Sequence, residues 1–343
     1  MKAPRFWWSE NLSGAAIVLW PVAWLYGWFA ARRLHRRPRG GSNLPVICIG
    51  NYVAGGTGKT PFALMLAALL AKDGIRPGFL LRGYGGRAKG PVVVDPAAHM
   101  ATDVGDEALL LAREAPTVVA ADRVAGAGLA QTLDIDVLLM DDGFQNPSLK
   151  KDLAFALVDA ATGVGNGLCL PAGPLRAPLA DQIVKTDVLV IVGTGGQADE
   201  VVHLAARKGL PILHAELVPG LHEDLKDTPL HAFAGIGRPE KFFRMLEDLG
   251  LNVARTSSFP DHHAFTEEDA KRLLQQSETD GHVLVTTEKD MARIASAPEE
   301  VFRWLENRSA TLLVAMNVSE TGRLLSLVHG TVRNRAFRVG RGA

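Results

Sequence analysis

Gly55-Gly56-Thr57-Gly58-Lys59-Thr60 constrains this chain more than any other stretch. The apolar run Val46-Ile47-Cys48-Ile49-Gly50-Asn51 precedes it, and a helical run over residues 61–70, closed by Gly74, follows it. Glycines in such a turn let backbone N–H groups face inward around phosphate oxygens. The helix N-terminus then favours negative charge, and a lysine supplies a mobile cation. The adjacent threonine offers its hydroxyl to Mg2+. The strict phosphate-loop pattern places a glycine five positions before Gly58, where Val53 stands, and Ala54 replaces the extra lysine of some variant loops. A plain glycine-rich turn is the alternative. The strand–loop–helix context favours a nucleotide site formed by Val53, Ala54, Gly55, Gly56, Thr57, Gly58, Lys59 and Thr60, and hence a parallel α/β sheet.

Three further groups of residues suggest chemistry. Val137-Leu138-Leu139-Met140 runs into Asp141-Asp142, the arrangement expected of a metal-side carboxylate at the end of a strand; an Asp pair opening the turn at Gly143 is the alternative. Asp106-Glu107 opens a helix after Gly105, where acids are also favoured by the helix dipole alone. Asp261-His262-His263 follows Phe259-Pro260, and no third ligand has a spacing that would make the His pair a metal site. A carboxylate and an imidazole from separate lobes could meet over a bound phosphate, the one taking a hydroxyl proton and the other orienting or tuning it. Such a pair is expected to assemble on closure of the lobes.

The 343 residues are 47% hydrophobic with 35 Gly and 19 Pro, enough for a packed core and many turns, which excludes disordered and fibrous classes. Cys48 and Cys169 are the only cysteines; they cannot make a disulfide framework or a zinc site, and they point to a reducing compartment. Seven of the 37 basic and one of the 37 acidic residues fall in the first 40, leaving 30 basic against 36 acidic elsewhere. A body of that charge is a poor general binder of nucleic acid, and no nucleic-acid partner is expected.

The basic start has its own character. Between Glu10 and Arg32 lie 21 residues without a formal charge, and five of the six tryptophans are Trp7, Trp8, Trp20, Trp24 and Trp28. The last three share one face of a helix. Tryptophan favours the bilayer–water interface, and Arg32, Arg33, Arg36, Arg37 and Arg39 follow at once, suited to anionic lipid head groups. A cleaved signal peptide beginning at Lys2 and Arg5 and a buried core helix are the alternatives. The tryptophan and arginine content favours a membrane-associated helix, with Pro21 and the threshold length leaving spanning and interfacial placements both open.

From residue 43 onward short apolar runs alternate with helical ones. Strands are expected at 46–50, 78–81, 91–94, 117–120 and 135–140, with helices at 61–72, 106–114 and 122–133. A second series has strands at 153–158, 187–192, 231–235 and 282–286 and helices at 199–208, 239–249 and 266–276. The expected organisation is a membrane-associated helix and basic flank over 1–40, a P-loop NTPase-like parallel sheet domain over 41–150, a second, smaller α/β domain over 151–315, and a segment over 316–343 packing back on the first domain.

Taken in order, these residues resemble one family, the tetraacyldisaccharide 4'-kinases of lipid A biosynthesis. The resemblance runs over nearly the whole chain: the Trp-rich, Arg-flanked start, Gly50-Asn51 before the glycine loop and Pro61, Arg82-Gly83-Tyr84-Gly85, Gly105-Asp106-Glu107 and Asp141-Asp142-Gly143-Phe144-Gln145. It continues with Pro171-Ala172-Gly173-Pro174-Leu175-Arg176, Ala234-Gly235-Ile236-Gly237, Asp261-His262 and Thr287-Glu288-Lys289-Asp290. Ala177 departs from the family pattern, in which many members carry an acid after the arginine.

The resemblance implies an enzyme on the cytoplasmic face of the inner membrane of Gram-negative bacteria. It would transfer the γ-phosphate of ATP, with Mg2+, to the 4'-hydroxyl of a tetraacylated glucosamine disaccharide 1-phosphate, a membrane lipid, beside anionic lipids. It implies two α/β lobes joined by a short β linker, with ATP between them. By the same resemblance Lys59 and Thr60 hold phosphate and Mg2+, Asp141 stands on the metal side, and Asp106 is the base with His262 beside it. Glu107, Asp142, Gln145, Arg82, Arg123 and Arg176 support them, the three arginines as phosphate contacts. The competing reading is a membrane-tethered P-loop ATPase acting as a switch or targeting module, which shares the loop and the anchor but needs no acceptor base.

Overall fold

The computed structural model describes residues 4–9, 11–220 and 225–340; Lys2, Glu10 and residues 341–343 of the expected flanks lie outside the described residues. A 3-10 turn at Arg5–Trp8 precedes α1 (Gly14–Leu34), β1 (Val46–Asn51), α2 (Lys59–Lys72), β2 (Pro77–Leu81), β3 (Val92–Val93), α3 (Ala101–Val104), α4 (Asp106–Ala112), β4 (Thr117–Val119), α5 (Arg123–Ala130) and β5 (Val137–Asp141). The chain continues through β6 (Leu153–Asp159), α6 (Leu179–Val184), β7 (Val188–Val192), α7 (Asp199–Arg207), β8 (Ile212–Pro219), β9 (Leu230–Ala234), α8 (Pro239–Asp248) and β10 (Val253–Ser258). It ends with α9 (Glu267–Asp280), β11 (Val283–Thr287), α10 (Glu288–Ala295), α11 (Glu300–Asn307), β12 (Ser309–Leu312), β13 (Val314–Val318) and α12 (Thr321–Gly340).

Two sheets organise these elements, a large one in the order β13-β8-β7-β6-β1-β5-β2-β4-β3 and a small one in the order β10-β9-β11-β12. The large sheet is parallel except at its edges, where β13 pairs antiparallel with β8 and β3 with β4. Apolar clusters cover both of its faces, one around Phe62, Leu66, Phe79 and Phe155 and the other around Tyr52, Leu138, Met140 and Phe144. Strands buried on both sides are what continuous apolar runs demand.

The strand runs expected to open a second lobe at residue 151 are divided between the sheets. β6 pairs in parallel with β1 from Ile47↔Leu153 to Asn51↔Leu157, β7 pairs with β6 and β8 with β7. The reason is compositional. Every residue of β6 is buried, and a strand apolar on both faces is satisfied only at the centre of a covered sheet. The small sheet therefore begins at β9, and all its pairings are parallel. The chain leaves the large sheet through β8 and returns to it through β13, so these two strands form an antiparallel ribbon at the edge where the small sheet is inserted.

Ser13 caps α1, its Oγ accepting from Ala16 N at 3.1 Å. Ala16, Ala23, Gly27 and Leu34 form the only buried stripe of this helix, and a Cβ on Gly27 would stand 3.0 Å from Cys169 Sγ, so the helix packs tightly there. Apart from half-buried Leu19, Ala30 and Ala31, the rest of α1 is exposed, including Trp20, Trp24, Trp28 and Phe29. By length and composition it is able to cross a membrane. At the far end of the chain, Leu324 and Val328 of α12 enter the core around Phe62 and Leu66.

Candidate active site

The turn between β1 and α2 is held from several sides. Gly58, at φ +83°, caps α2, and Gly55 has φ +136°. Both values lie in the region that glycine alone adopts freely. Asn51 Nδ2 donates to Gly55 O across the turn at 3.1 Å. Register carries a carboxylate to the same place, since Ile49 of β1 stands opposite Asp141 of β5. Thr60 Oγ1 lies 3.3 Å from Asp141 Oδ2 and donates to it. These atoms meet at the carboxyl ends of the central strands, where parallel sheets bind ligands.

The two adjacent acids are in different situations. Asp141 is buried, and burial pushes its carboxyl well up, with the nearby Glu107 acting in the same direction and Lys59 against it. A buried anion short of positive charge suits a divalent cation. Among the described residues no cluster of three or more acidic, His or Cys groups could cage one. Asp142 has φ +48°. Burial would raise its carboxyl, but Lys59 and Arg176 hold it far below the usual range. Lys59 Nζ stands 3.6 Å from Asp142 Oδ1, and Arg176 Nη1 donates to both Asp142 oxygens at 3.0 and 3.1 Å.

Arg176 belongs to a strap that props the loop from outside. Its Nε donates to Val53 O at 3.0 Å, Ala54 N donates to Pro174 O at 2.8 Å, and Arg176 N donates to Tyr52 O at 2.9 Å. Gln145 Nε2 donates to Asn51 O at 2.7 Å. Ala177, which departs from the family pattern noted above, is buried, and its carbonyl accepts from Gln182 Nε2 at 2.7 Å. The wholly buried Gln182 also donates to Tyr52 O at 3.1 Å; nothing in the sequence marked it out.

A second cluster forms where α4 meets the small sheet. Gly105, at φ +90°, allows the turn into α4, since a Cβ there would stand 2.5 Å from Tyr84 O. Asp106 Oδ2 faces His262 Nδ1 at 3.3 Å and Arg293 Nε at 3.1 Å. These are ion-pair distances without the alignment of hydrogen bonds. Burial would raise the Asp106 carboxyl, yet His262, Arg293 and Lys289 bring it down to about 2. His262 has φ +55°. Asp106 raises its imidazole above the ordinary 6.5, against the opposing effect of burial. The pair stands assembled in this structure, whereas the sequence suggested that closure would assemble it. Lys289 Nζ donates to Glu107 Oε1, and through Glu107 this cluster adjoins Asp141.

His263 is occupied elsewhere. Its Nε2 lies 2.8 Å from Asp269 Oδ2, in the capping box of α9, and its ring stacks on Phe259. Of the other arginines singled out, Arg82 is exposed. Arg123 is buried with its Nη1 donating to Ala120 O, and burial and then Arg82 lower it to about 10. Arg293 was missed. Its Nη1 and Nη2 donate to His263 O and Gly235 O, each at 3.0 Å, and its Nη2 pairs with buried Asp290 at 3.2 Å. It lies on a helix of ordinary amphipathic pattern, and nothing local in the sequence distinguishes it.

The family model described as tetraacyldisaccharide-1-P 4'-kinase matches residues 15–329. A tetraacyldisaccharide 4'-kinase of Methylobacterium nodulans is 52% identical over 304 residues, covering 88% of this chain and 90% of that one. Another, from Rhodopseudomonas palustris strain BisA53, is 46% identical over 345 residues, covering 99% and 100%. The crystal structure of LpxK from Aquifex aeolicus in complex with ATP superposes with a TM-score of 0.70 at 27% identity, covering 92% of this chain and 99% of that one. The glycine loop, the strand-end carboxylates and the Asp–His pair thus lie in a chain that belongs to the tetraacyldisaccharide-1-P 4'-kinase family.

Proposed function

We infer that this protein transfers the γ-phosphate of ATP to the 4'-hydroxyl of a tetraacylated glucosamine disaccharide 1-phosphate. The observation that carries the reading is the Asp106–His262 pair, 3.3 Å apart and contributed by segments of different sheets, beside a nucleotide loop. A switch or targeting ATPase needs the loop but no acceptor base. The relatives' names and the ATP in the Aquifex aeolicus structure support the same substrate and nucleotide.

The attacking hydroxyl oxygen forms a bond to the γ-phosphorus as the bond to the ADP oxygen breaks, so catalysis consists of alignment and charge compensation. The loop amides and Lys59 hold the phosphates. Thr60 and Asp141 would hold Mg2+, which when bound neutralises charge on the phosphate oxygens. Asp142, locked by Arg176, keeps Lys59 aimed. The hydroxyl proton passes to the Asp106–His262 pair and comes to rest on the imidazole, because the carboxyl, at about 2, is the weaker base of the two. Glu107, Gln145, Arg82 and Arg123 support these groups. We further propose that the large and small sheets are the two lobes, with the β8–β13 ribbon as their linker.

The substrate class requires attachment to the bilayer. Each buried CH₂ contributes about 0.8 kcal/mol, so a four-chain lipid stays in the membrane and the enzyme must come to it. Exposed α1 and the arginines after it would place the body on the cytoplasmic face of the inner membrane among anionic lipids. Incubation with γ-labelled ATP and the lipid acceptor tests the reading. Label should move to lipid with the intact protein and be lost with Lys59→Ala or Thr60→Ala. Release of label only as inorganic phosphate would mean an ATPase.

A further inference from the structure

Beside the glycine loop stands an arginine that the mechanism above does not use. Arg238 lies just before α8, in the segment leaving β9 of the small sheet, and its guanidinium carbon is 4.1 Å from the centroid of the Trp8 ring. Its Nη2 is 3.9 Å from the point that a Cβ on Gly55 would occupy. Among the described residues no hydrogen bond or ion pair engages this guanidinium. Stacking takes its face and leaves its five N–H donors in the plane of the group, unused. The carboxylate that acts on it, Asp159, is already paired with Lys241 Nζ at 3.0 Å. Donors that no protein acceptor engages, on a cation only half-buried, are free to receive an anion. The nearest built anion site is the loop itself.

Trp8 is placed to hold this arginine, not merely to touch it. Trp7 Nε1 donates to Pro171 O at 2.9 Å, and Asn166 N donates to Trp7 O at 2.8 Å. The turn Arg5–Trp8 is thereby fixed to the same strap whose Pro174 O receives Ala54 N from the loop. One rigid run of contacts therefore sets the loop and the Trp8 ring relative to each other, and the small sheet supplies the arginine between them.

We propose that Arg238 is a phosphate-binding residue of the kinase, donating to the terminal phosphates of ATP from the small-sheet side, with Trp8 as its positioning residue. The proposal rests on the kinase reading. The full-length protein is assayed in mixed micelles of neutral detergent with the lipid acceptor, varying ATP and acceptor separately. Phosphate transfer by the unaltered protein establishes the reading first; its absence would remove that reading whatever Arg238 does. Arg238→Ala should raise KM for ATP about tenfold or more, the loss expected of a hydrogen bond to a charged group, with KM for the lipid unchanged. Arg238→Lys should fall between. Trp8→Phe should stay near the parent, while Trp8→Ala should shift KM for ATP in the same direction by less. Trp8→Ala combined with Arg238→Ala should be no worse than Arg238→Ala alone, because Trp8 acts through the arginine. KM for ATP within about twofold of the parent in Arg238→Ala would overturn the proposal, even with a lowered melting temperature. So would equal losses toward both substrates. If Arg238→Ala does not fold, the same ATP readout on Arg238→Lys decides.

Discussion

Asp106 must satisfy two demands that pull apart. As a nearly inaccessible carboxylate it needs positive neighbours to stay in the fold, and as part of the proposed base it must leave the imidazole free to take a proton. The structure meets both by giving the carboxylate to Arg293 and His262 together. The acid limb of kcat/KM should therefore lie above pH 6.5, because Asp106 raises His262 and only the neutral ring accepts a proton. Asp106→Asn removes the group that raises the ring, so the limb should move to lower pH while the rate falls. A limb that stays in place would separate the two residues. Asp106→Ala and His262→Ala should each lower kcat by roughly 10²–10⁴, and the double variant should be scarcely worse than the worse single one. Losses that multiply would show independent roles.

At the scale of elements, α1 presents small residues inward and aromatic rings outward. Deleting residues 1–32 should release much of the protein from membranes, measured by flotation with vesicles containing anionic lipid. Replacing Trp20, Trp24 and Trp28 by serine should weaken partition by at least about tenfold, since each lost ring surrenders on the order of 1 kcal/mol or more of apolar burial. Flotation equal to that of the intact chain would remove the anchor. The elements also show where sequence reading succeeds. Strands β1, β2, β5, β6 and β7 were legible because continuous apolar runs between turns have few other uses. β10, with only half-buried or exposed residues, and β12 and β13, with short mixed runs, carry no such signal. The lobe to which β6, β7 and β8 belong is a matter of pairing partners, which periodicity does not encode. In the site, groups adjacent in sequence to a motif were legible. Arg238, Gln182 and Arg293 act across distances that no local pattern records.

In the whole molecule, Arg293 is the bolt between the two sheets, joining α10 to Asp106, to the Asp261-His262-His263 loop and to Gly235. Arg293→Met takes a cationic partner from two buried carboxylates, Asp106 and Asp290, and should cost about 3–5 kcal/mol, the range for breaking one side of a buried pair. Adding Asp106→Asn should restore part of that loss. Urea unfolding of the single and double variants measures both, and an unchanged midpoint in Arg293→Met would show that the bridge contributes nothing. The β8–β13 ribbon has a further consequence, in time as well as space. Met316 of β13 backs the nucleotide loop, its Cε 2.8 Å from where a Cβ on Gly58 would stand. A ribosome delivers α1 nearly three hundred residues before it delivers β13. The growing chain thus has its apolar helix complete long before the nucleotide loop has a rear wall, so on the proposed reading the anchor is available before the capacity to consume ATP.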